Sequence, residues 1–218
     1  MRAETVIFDL DGTLLDTLED LTDAVNHALA AFRLPRREIG EIRAFVGNGI
    51  RRLLIRAVPD GEENPDFEAV FEEFKRYYAA HCSDRTRPYE GVLELLRELS
   101  ERGIKTAIVS NKADFAVQTL KRQYFPQISV AVGDSDAMKR KPAPDSVFFA
   151  MDKCGAKKDT TVYVGDSEVD IQTAKNAGIT CISALWGFRD RERLLESGAE
   201  ILLEKPLGLL ELIENEAI

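Results

Sequence analysis

Apolar residues fall along this chain in two textures. From about residue 104 onward, short runs of apolar and β-branched residues take turns with amphipathic stretches. IKTAIVS (104–110), ISVAVGD (128–134), TTVYVGD (160–166) and ITCISAL (179–185) read as strands. Between them, ADFAVQTLKRQ (113–123), PDSVFFAMDKCG (144–155) and EVDIQTAKNAG (168–178) read as helices. The second of these opens on Pro144 and ends on Gly155, and the third is closed by Gly178. Apolar strands joined by helices imply a parallel sheet covered on both faces, hence a doubly wound α/β fold. TVIF near the start supplies the first strand. Residues 17–84 have the second texture. Leu18, Leu21, Ala24, Val25, Ala28 and Leu29 lie at helical spacing, as do Phe67, Val70, Phe71, Phe74 and Tyr78. The chain then returns through DRTRPYEG to a helix over 91–101, with Val92, Leu95, Leu96 and Leu99 in one stripe. The pattern predicts a core of residues 1–16 and 85–218 and a small all-helical domain, 17–84, inserted after the first strand. A helical module on two connections is suited to acting as a lid.

Composition narrows the partners. The net charge of −9 argues against a general nucleic-acid surface. No apolar stretch approaches the ~20 residues of a membrane span, and MRAETVIF lacks the apolar region and cleavage site of a secretion signal. Cys82, Cys154 and Cys181 are widely spaced, which fits a reducing compartment and a cytoplasmic protein better than a disulfide framework. One segment departs from the acidic balance: residues 33–56 hold seven arginines against Glu38 and Glu41. Two readings of it stay open, a pair of solvated helix faces or a basic lining that meets an anion.

Candidate chemistry collects at strand ends, where open parallel sheets bind ligands. The first strand stops at Asp9-Leu10-Asp11-Gly12-Thr13, and the second at Ser110-Asn111-Lys112. KRKPAP, with Lys141, follows the third; Gly165-Asp166-Ser167 ends the fourth, with Asp170 a helical turn on. Singly, each has an ordinary explanation: an Asx-turn, a helix cap, a solvated loop lysine. Those explanations do not account for all four lying at strand ends. An EF-hand reading of DLDG fails on register, because the loop's glycine position falls on Leu14. If the strand stays regular to its end, period-two alternation puts Asp9 and Asp11 on one side. With Asp166 they form a hard oxygen set that suits Mg²⁺ completed by substrate phosphate. Zinc is disfavoured, since His27 and His81 are the only histidines and both fall on predicted helices of the insert. The Ser110 hydroxyl, backbone N–H groups around the turns at Gly12 and Asn111, and the Lys141 ammonium would hold the remaining phosphate oxygens. Such a set describes a phosphoryl-transfer site with one carboxylate as nucleophile.

DLDGT, a strand ending in Ser-Asn, KPAP and GDSEVD, in this order, resemble the haloacid-dehalogenase superfamily of phosphohydrolases. The helical insert after DLDGTLLDT is similar to that family's cap. DTLEDLTDAVNHAL, FVGNGIRRLL, PYEGV and Trp186-Gly187 resemble its phosphoglycolate phosphatase branch. The resemblance implies that Asp9 attacks phosphorus and becomes an aspartyl phosphate. It implies that Asp11 protonates the leaving alkoxide and then deprotonates the hydrolytic water. Mg²⁺ would be held by Asp9, the backbone carbonyl of Asp11 and Asp166, with Asp170 in support. Ser110 and Lys141 would bind the transferring phosphoryl.

The leaving group is the open part. Gly47, Asn48 and Gly49 form a turn entering a helix whose N–H groups would greet a carboxylate, with charge from Arg52, Arg51 or Arg43; alternatively the glycines merely divide two helices. GNGIRR follows no strand and lacks a third glycine, so it is not a dinucleotide fingerprint. The expected partner is a small phosphorylated metabolite such as 2-phosphoglycolate, for a monomer or homodimer without nucleic acid or membrane. Alternatives within the class are inorganic pyrophosphate, a nucleotide or a sugar phosphate. A non-catalytic phospho-accepting receiver domain fits poorly, because its acceptor follows the third strand and it has no use for a helical insert.

Overall fold

The computed structural model describes residues 3–214. In chain order its elements are β1 Thr5–Phe8, β2 Leu15–Asp16, α1 Leu18–Ala31, α2 Ile39–Phe45, α3 Ile50–Ala57, α4 Phe67–His81, β3 Arg87–Pro88 and α5 Val92–Glu101. There follow β4 Lys105–Ala113, α6 Asp114–Tyr124, β5 Val130–Asp134, α7 Asp145–Cys154, β6 Thr161–Gly165, α8 Glu168–Ala177, β7 Thr180–Ala184, α9 Arg191–Glu196, β8 Ile201–Leu203 and α10 Gly208–Glu214. Two compact units emerge: one takes the chain up to Leu15 and again from Pro88, the other runs Asp16–Arg87. The two-residue strands β2 and β3 pair where the chain passes between them.

The first unit is a six-stranded sheet in the order β5-β4-β1-β6-β7-β8, parallel at every pairing. β1 lies in the middle, Thr5 facing Lys105 on one side and Thr161 on the other. Because side chains alternate across a strand, its residues feed two cores. Val6 and Phe8 join Ile108, Val162, Val164 and Ile182 on the face covered by α5, α6 and α10. Ile7 joins Ala107, Val109 and Tyr163 on the face covered by α7 and α8. Burial on both faces explains why these strands read as continuous apolar runs. From β1 the chain steps outward to β4 and β5, then crosses back to β6 and steps the other way. The reversal beside β1 is the position at which such sheets bind ligands.

Helix ends follow the local chemistry. Gly155 and Gly178 take positive φ at the ends of α7 and α8. Ser167 and Asp170 form a capping box that opens α8. β1 is the TVIF run, and it stops at Phe8, short of Asp9 and Asp11. Two features differ from the sequence pattern. β4 extends past Ser110 to Ala113 with a register shift after Val109. The sheet also continues past β7 to β8, a strand of three residues, too short at a sheet edge to leave a periodic signal.

The second unit is helical. α1 and α4 pack along each other through Leu21, Ala24, Val25, Ala28 and Leu29 against Phe67, Val70, Phe74 and Tyr78. Asp20, buried in α1, accepts hydrogen bonds from the backbone N–H groups of Arg85 and Thr86 and from the Thr86 hydroxyl. Among the described residues no helix is long and apolar enough to cross a membrane.

Candidate active site

The β1 backbone ladder ends with the Asp9 N–H donating to Val164 O at 2.9 Å. The chain then turns sharply, with the Leu14 and Leu15 N–H groups both donating to Leu10 O. Gly12 takes φ +83° here, a conformation that glycine adopts freely. A Cβ on Gly12 would also collide with the Asp166 carboxylate. Its N–H donates to Leu15 O at 2.9 Å, so Gly12 serves the turn and the close approach to Asp166 rather than presenting a donor to phosphate.

Asp9 is buried at the mouth of this turn. The Lys141 ammonium, from the loop between β5 and α7, stands 3.0 Å from Asp9 Oδ1, 2.7 Å from Asp170 Oδ1 and 2.9 Å from the Tyr163 hydroxyl. Tyr163 in turn donates to Val109 O at 3.0 Å. The other oxygen of Asp170 accepts from the Ser167 N–H and hydroxyl, at 3.1 and 2.6 Å. Asp166 accepts at Oδ2 from the Phe188 N–H at 2.7 Å and at Oδ1 from the Thr13 hydroxyl at 3.2 Å. Asp9, Asp166 and Asp170 thus each bring a carboxylate oxygen within 4.8 Å of the others.

Three buried carboxylates so close repel. Burial first, then the neighbouring acids Asp170 and Asp9, push Asp166 up to about 8. Burial also pushes Asp9 up to about 7; Lys141 works against that rise, and Asp170 and Asp11 add to it. Asp9 Oδ1 has no hydrogen bond of good geometry among the described residues, despite the nearby ammonium. Lys112 is paired with Asp11, and Arg189 with Glu168. The remainder is −3 from the three aspartates and +1 from Lys141, which a divalent cation brings to zero. Oxygen donors with an orphaned lone pair and a charge deficit of two fit Mg²⁺. Asp170, engaged at both oxygens, is suited to outer support.

The expected alternation of Asp9 and Asp11 needs correction. Because β1 ends at Phe8, the strand pleat does not orient them, and each meets its own cation. Asp9 faces Lys141, while the Asp11 carboxylate takes the Lys112 ammonium at 2.8 Å. Ser110 and Asn111 are buried beside them. The Ser110 hydroxyl accepts from the Lys112 N–H, and Asn111 Nδ2 donates to Lys141 O at 3.0 Å, which holds the lysine loop. Tyr163 and the Phe188 N–H are therefore site groups that the motif reading omits, and Lys112 and Thr13 lie in its motifs without an assigned role. Lys112 is legible as a polar strand-end residue, but its pairing with Asp11 is not. Tyr163 looks like any core aromatic in a strand, and a main-chain N–H leaves no side-chain signature.

Gly47, Asn48, Gly49 and Arg52 lie in the helical unit, between α2 and into α3, with Gly49 at the N-cap of α3. Arg52 is exposed. Arg51 is not held for a ligand: its guanidinium pairs with Glu62 and Glu68 and covers the Phe67 and Phe71 rings. Arg37 and Arg56 likewise donate to backbone carbonyls, of Ala57 and Phe45. Much of the basic segment is thus internal bracing.

A family model described as haloacid dehalogenase-like hydrolase matches residues 6–184. Phosphoglycolate phosphatase 1 of Pseudomonas aeruginosa is 32% identical over 97% of this chain and 80% of its own. Phosphoglycolate phosphatase of Xanthomonas campestris pv. campestris is 34% identical, with 94% of each chain covered. N-acetylmuramic acid 6-phosphate phosphatase of Pseudomonas aeruginosa is 29% identical over 99% of this chain and 96% of its own. A solved structure from Lactobacillus delbrueckii subsp. bulgaricus, provisionally named phosphoglycolate phosphatase, matches with TM-score 0.92 at 35% identity, covering 98% of this chain and 99% of that one. The chain belongs to the haloacid dehalogenase-like hydrolase family. Within it, the chain is a phosphatase similar in sequence and fold to the phosphoglycolate phosphatases.

Proposed function

We propose that the protein is a Mg²⁺-dependent phosphomonoesterase acting through an aspartyl phosphate on a small carboxylate-bearing phosphate ester, 2-phosphoglycolate first among them. The observation that carries this reading is the convergence of Asp9, Asp166, Asp170 and Lys141 at the sheet's reversal point. Asp9 attacks phosphorus, the P–O bond to the leaving group breaks, and Asp11 delivers a proton to the departing oxygen. Asp11 then takes a proton from water; the water oxygen bonds to phosphorus, and phosphate leaves with Asp9 restored. The Asp9 and Asp166 carboxylates and the main-chain carbonyl of Asp11 would hold Mg²⁺, with Asp170 supporting them. When bound, the ion supplies neutralisation of the phosphoryl oxygens. Ser110 and Lys141 hold the remaining phosphoryl oxygens, and Asn111 keeps Lys141 in place. The helical unit, as a lid carrying Gly47, Asn48, Gly49 and Arg52, reads the leaving group.

The second named substrate among the relatives favours a class rather than a single molecule. N-acetylmuramic acid 6-phosphate, like phosphoglycolate, is a phosphate monoester that carries a carboxylate. Cys82, Cys154 and Cys181 form no disulfide, which fits a reducing compartment, the cytoplasm. Phosphate release from a panel of phosphoglycolate, N-acetylmuramic acid 6-phosphate, sugar phosphates, nucleotides and pyrophosphate tests the reading. Carboxylate-bearing esters should lead, excess chelator should abolish turnover, and Asp9→Asn should lower it by about 10³-fold or more with the fold intact. Residual turnover near wild type in Asp9→Asn would remove the nucleophile assignment, and preference for uncharged leaving groups would remove the substrate class.

A further inference from the structure

We propose that Trp186, Gly187 and Phe188 form a clamp that positions the Asp166 carboxylate and so sets the affinity of the site for its divalent ion, and that Trp186 registers ion binding. The inference rests on the Mg²⁺ reading above. No motif of the site includes this segment, which follows β7 and reaches back to the β1 turn.

Both donors that orient Asp166 trace to it. The Phe188 N–H bonds Asp166 Oδ2 directly, at 2.7 Å. The donor to Oδ1 is the hydroxyl of Thr13, whose backbone carbonyl accepts the Trp186 indole N–H at 2.9 Å. A carboxylate oxygen has two lone pairs; one donor on each fixes the carboxylate's rotation and leaves capacity for an ion. Gly187 lets this approach happen. A Cβ there would collide with the Asp166 side chain and with Gly12 O, so residues 186–188 press directly on the ligand and on the turn after Asp11. The segment is anchored at both flanks: Trp186 packs on the core cluster that includes Phe8 and Leu14, and Arg189 pairs with Glu168 at the start of α8 at 2.9 Å. Outer partners of this kind change metal affinity by about 10–100-fold when removed. Trp186 is also the single tryptophan of the chain, bonded within the turn whose Asp11 carbonyl would face the ion. Its emission is therefore a local probe.

The experiment is a Mg²⁺ titration of the whole protein, without substrate, followed by calorimetry and by tryptophan fluorescence. In the wild type, emission should change saturably with the Kd that calorimetry gives. Trp186→Phe and Thr13→Val should raise the calorimetric Kd about tenfold or more, with melting in chelator close to wild type, while Thr13→Ser keeps Kd near wild type. A folded Trp186→Phe protein that binds Mg²⁺ as tightly as wild type overturns the clamp. Wild-type emission that stays fixed through calorimetric saturation overturns the role of Trp186 as the register of ion binding. If Trp186→Phe does not fold, the wild-type titration and the Thr13 pair decide. Wild-type protein that binds no Mg²⁺ overturns the metal reading together with the clamp, whereas normal wild-type binding with unaffected variants overturns the clamp alone.

Discussion

Lys141 is the residue on which the site's charge balance turns. Its side chain is 2% exposed, and it touches Asp9, Asp170 and Tyr163 at once. Its buried ammonium keeps its charge because the attraction of Asp170 and Asp9 outweighs the cost of burial, leaving its pKa well above 10.5. Lys141→Met would leave Asp170, fully buried, with a hydrogen-bonded but uncompensated charge. Breaking a buried pair from one side costs about 3–5 kcal/mol, so the urea midpoint should fall steeply and turnover should vanish. A midpoint near wild type would show that the acids had taken up protons without cost. Asp9 and Asp166 are legible in the sequence because polar residues that terminate apolar runs need a partner beyond the strand, and Lys141 is legible only through the KPAP segment that follows β5. What the sequence hides at this scale is the pairing. Nothing in Asp9-Leu10-Asp11 says that the first acid faces Lys141 and the second Lys112.

At the scale of elements, the helices show how the sequence's ambiguity resolves. The spacing of Phe67, Val70, Phe74 and Tyr78 marks the inner face of α4 without help from the structure. The remaining faces of α1 and α4 are read less well, since His27 on α1 and Glu73, Arg76, Tyr77 and His81 on α4 look like ordinary surface. In fact Glu73 bonds both Arg76 and His27, and the His27 ring stacks on Tyr77 at 3.9 Å. The Arg76 and His27 bonds hold the Glu73 carboxyl down at about 2. A depressed carboxylate stabilises above its unfolded value near 4.5, and that contribution is lost as pH falls towards 2. Glu73→Gln should therefore lower stability slightly at neutral pH and flatten the acid limb of the stability curve between those values, the two proteins converging as pH nears 2. The pair is solvent-screened, so the effect should stay under about 1 kcal/mol. An acid limb identical to wild type by circular dichroism would count against it. The short strand β8 escapes pattern reading for a different reason: three residues do not complete enough periods to separate a strand from a loop.

For the whole molecule, the sheet order is what the sequence cannot state. Alternating strands and helices give the fold class, but only the pairing of β1 with both β4 and β6 brings residues 9, 112, 141 and 166 to one place. That central position carries its own expectation. Strands paired on both sides open only with the whole domain, whereas edges fray. In native-state hydrogen–deuterium exchange, the amides of Ile7, Phe8 and Val164 should be the last to exchange and those of Ile201–Leu203 among the first; comparable rates would contradict the order. It follows that Asp9, the proposed nucleophile, rides on the most persistent part of the protein. Partial melting from the β8 side, whether by heat or by a damaging substitution, would leave Asp9 in register with Val164 and so spare the chemistry longest. Decline in activity should then lag behind the first loss of structure.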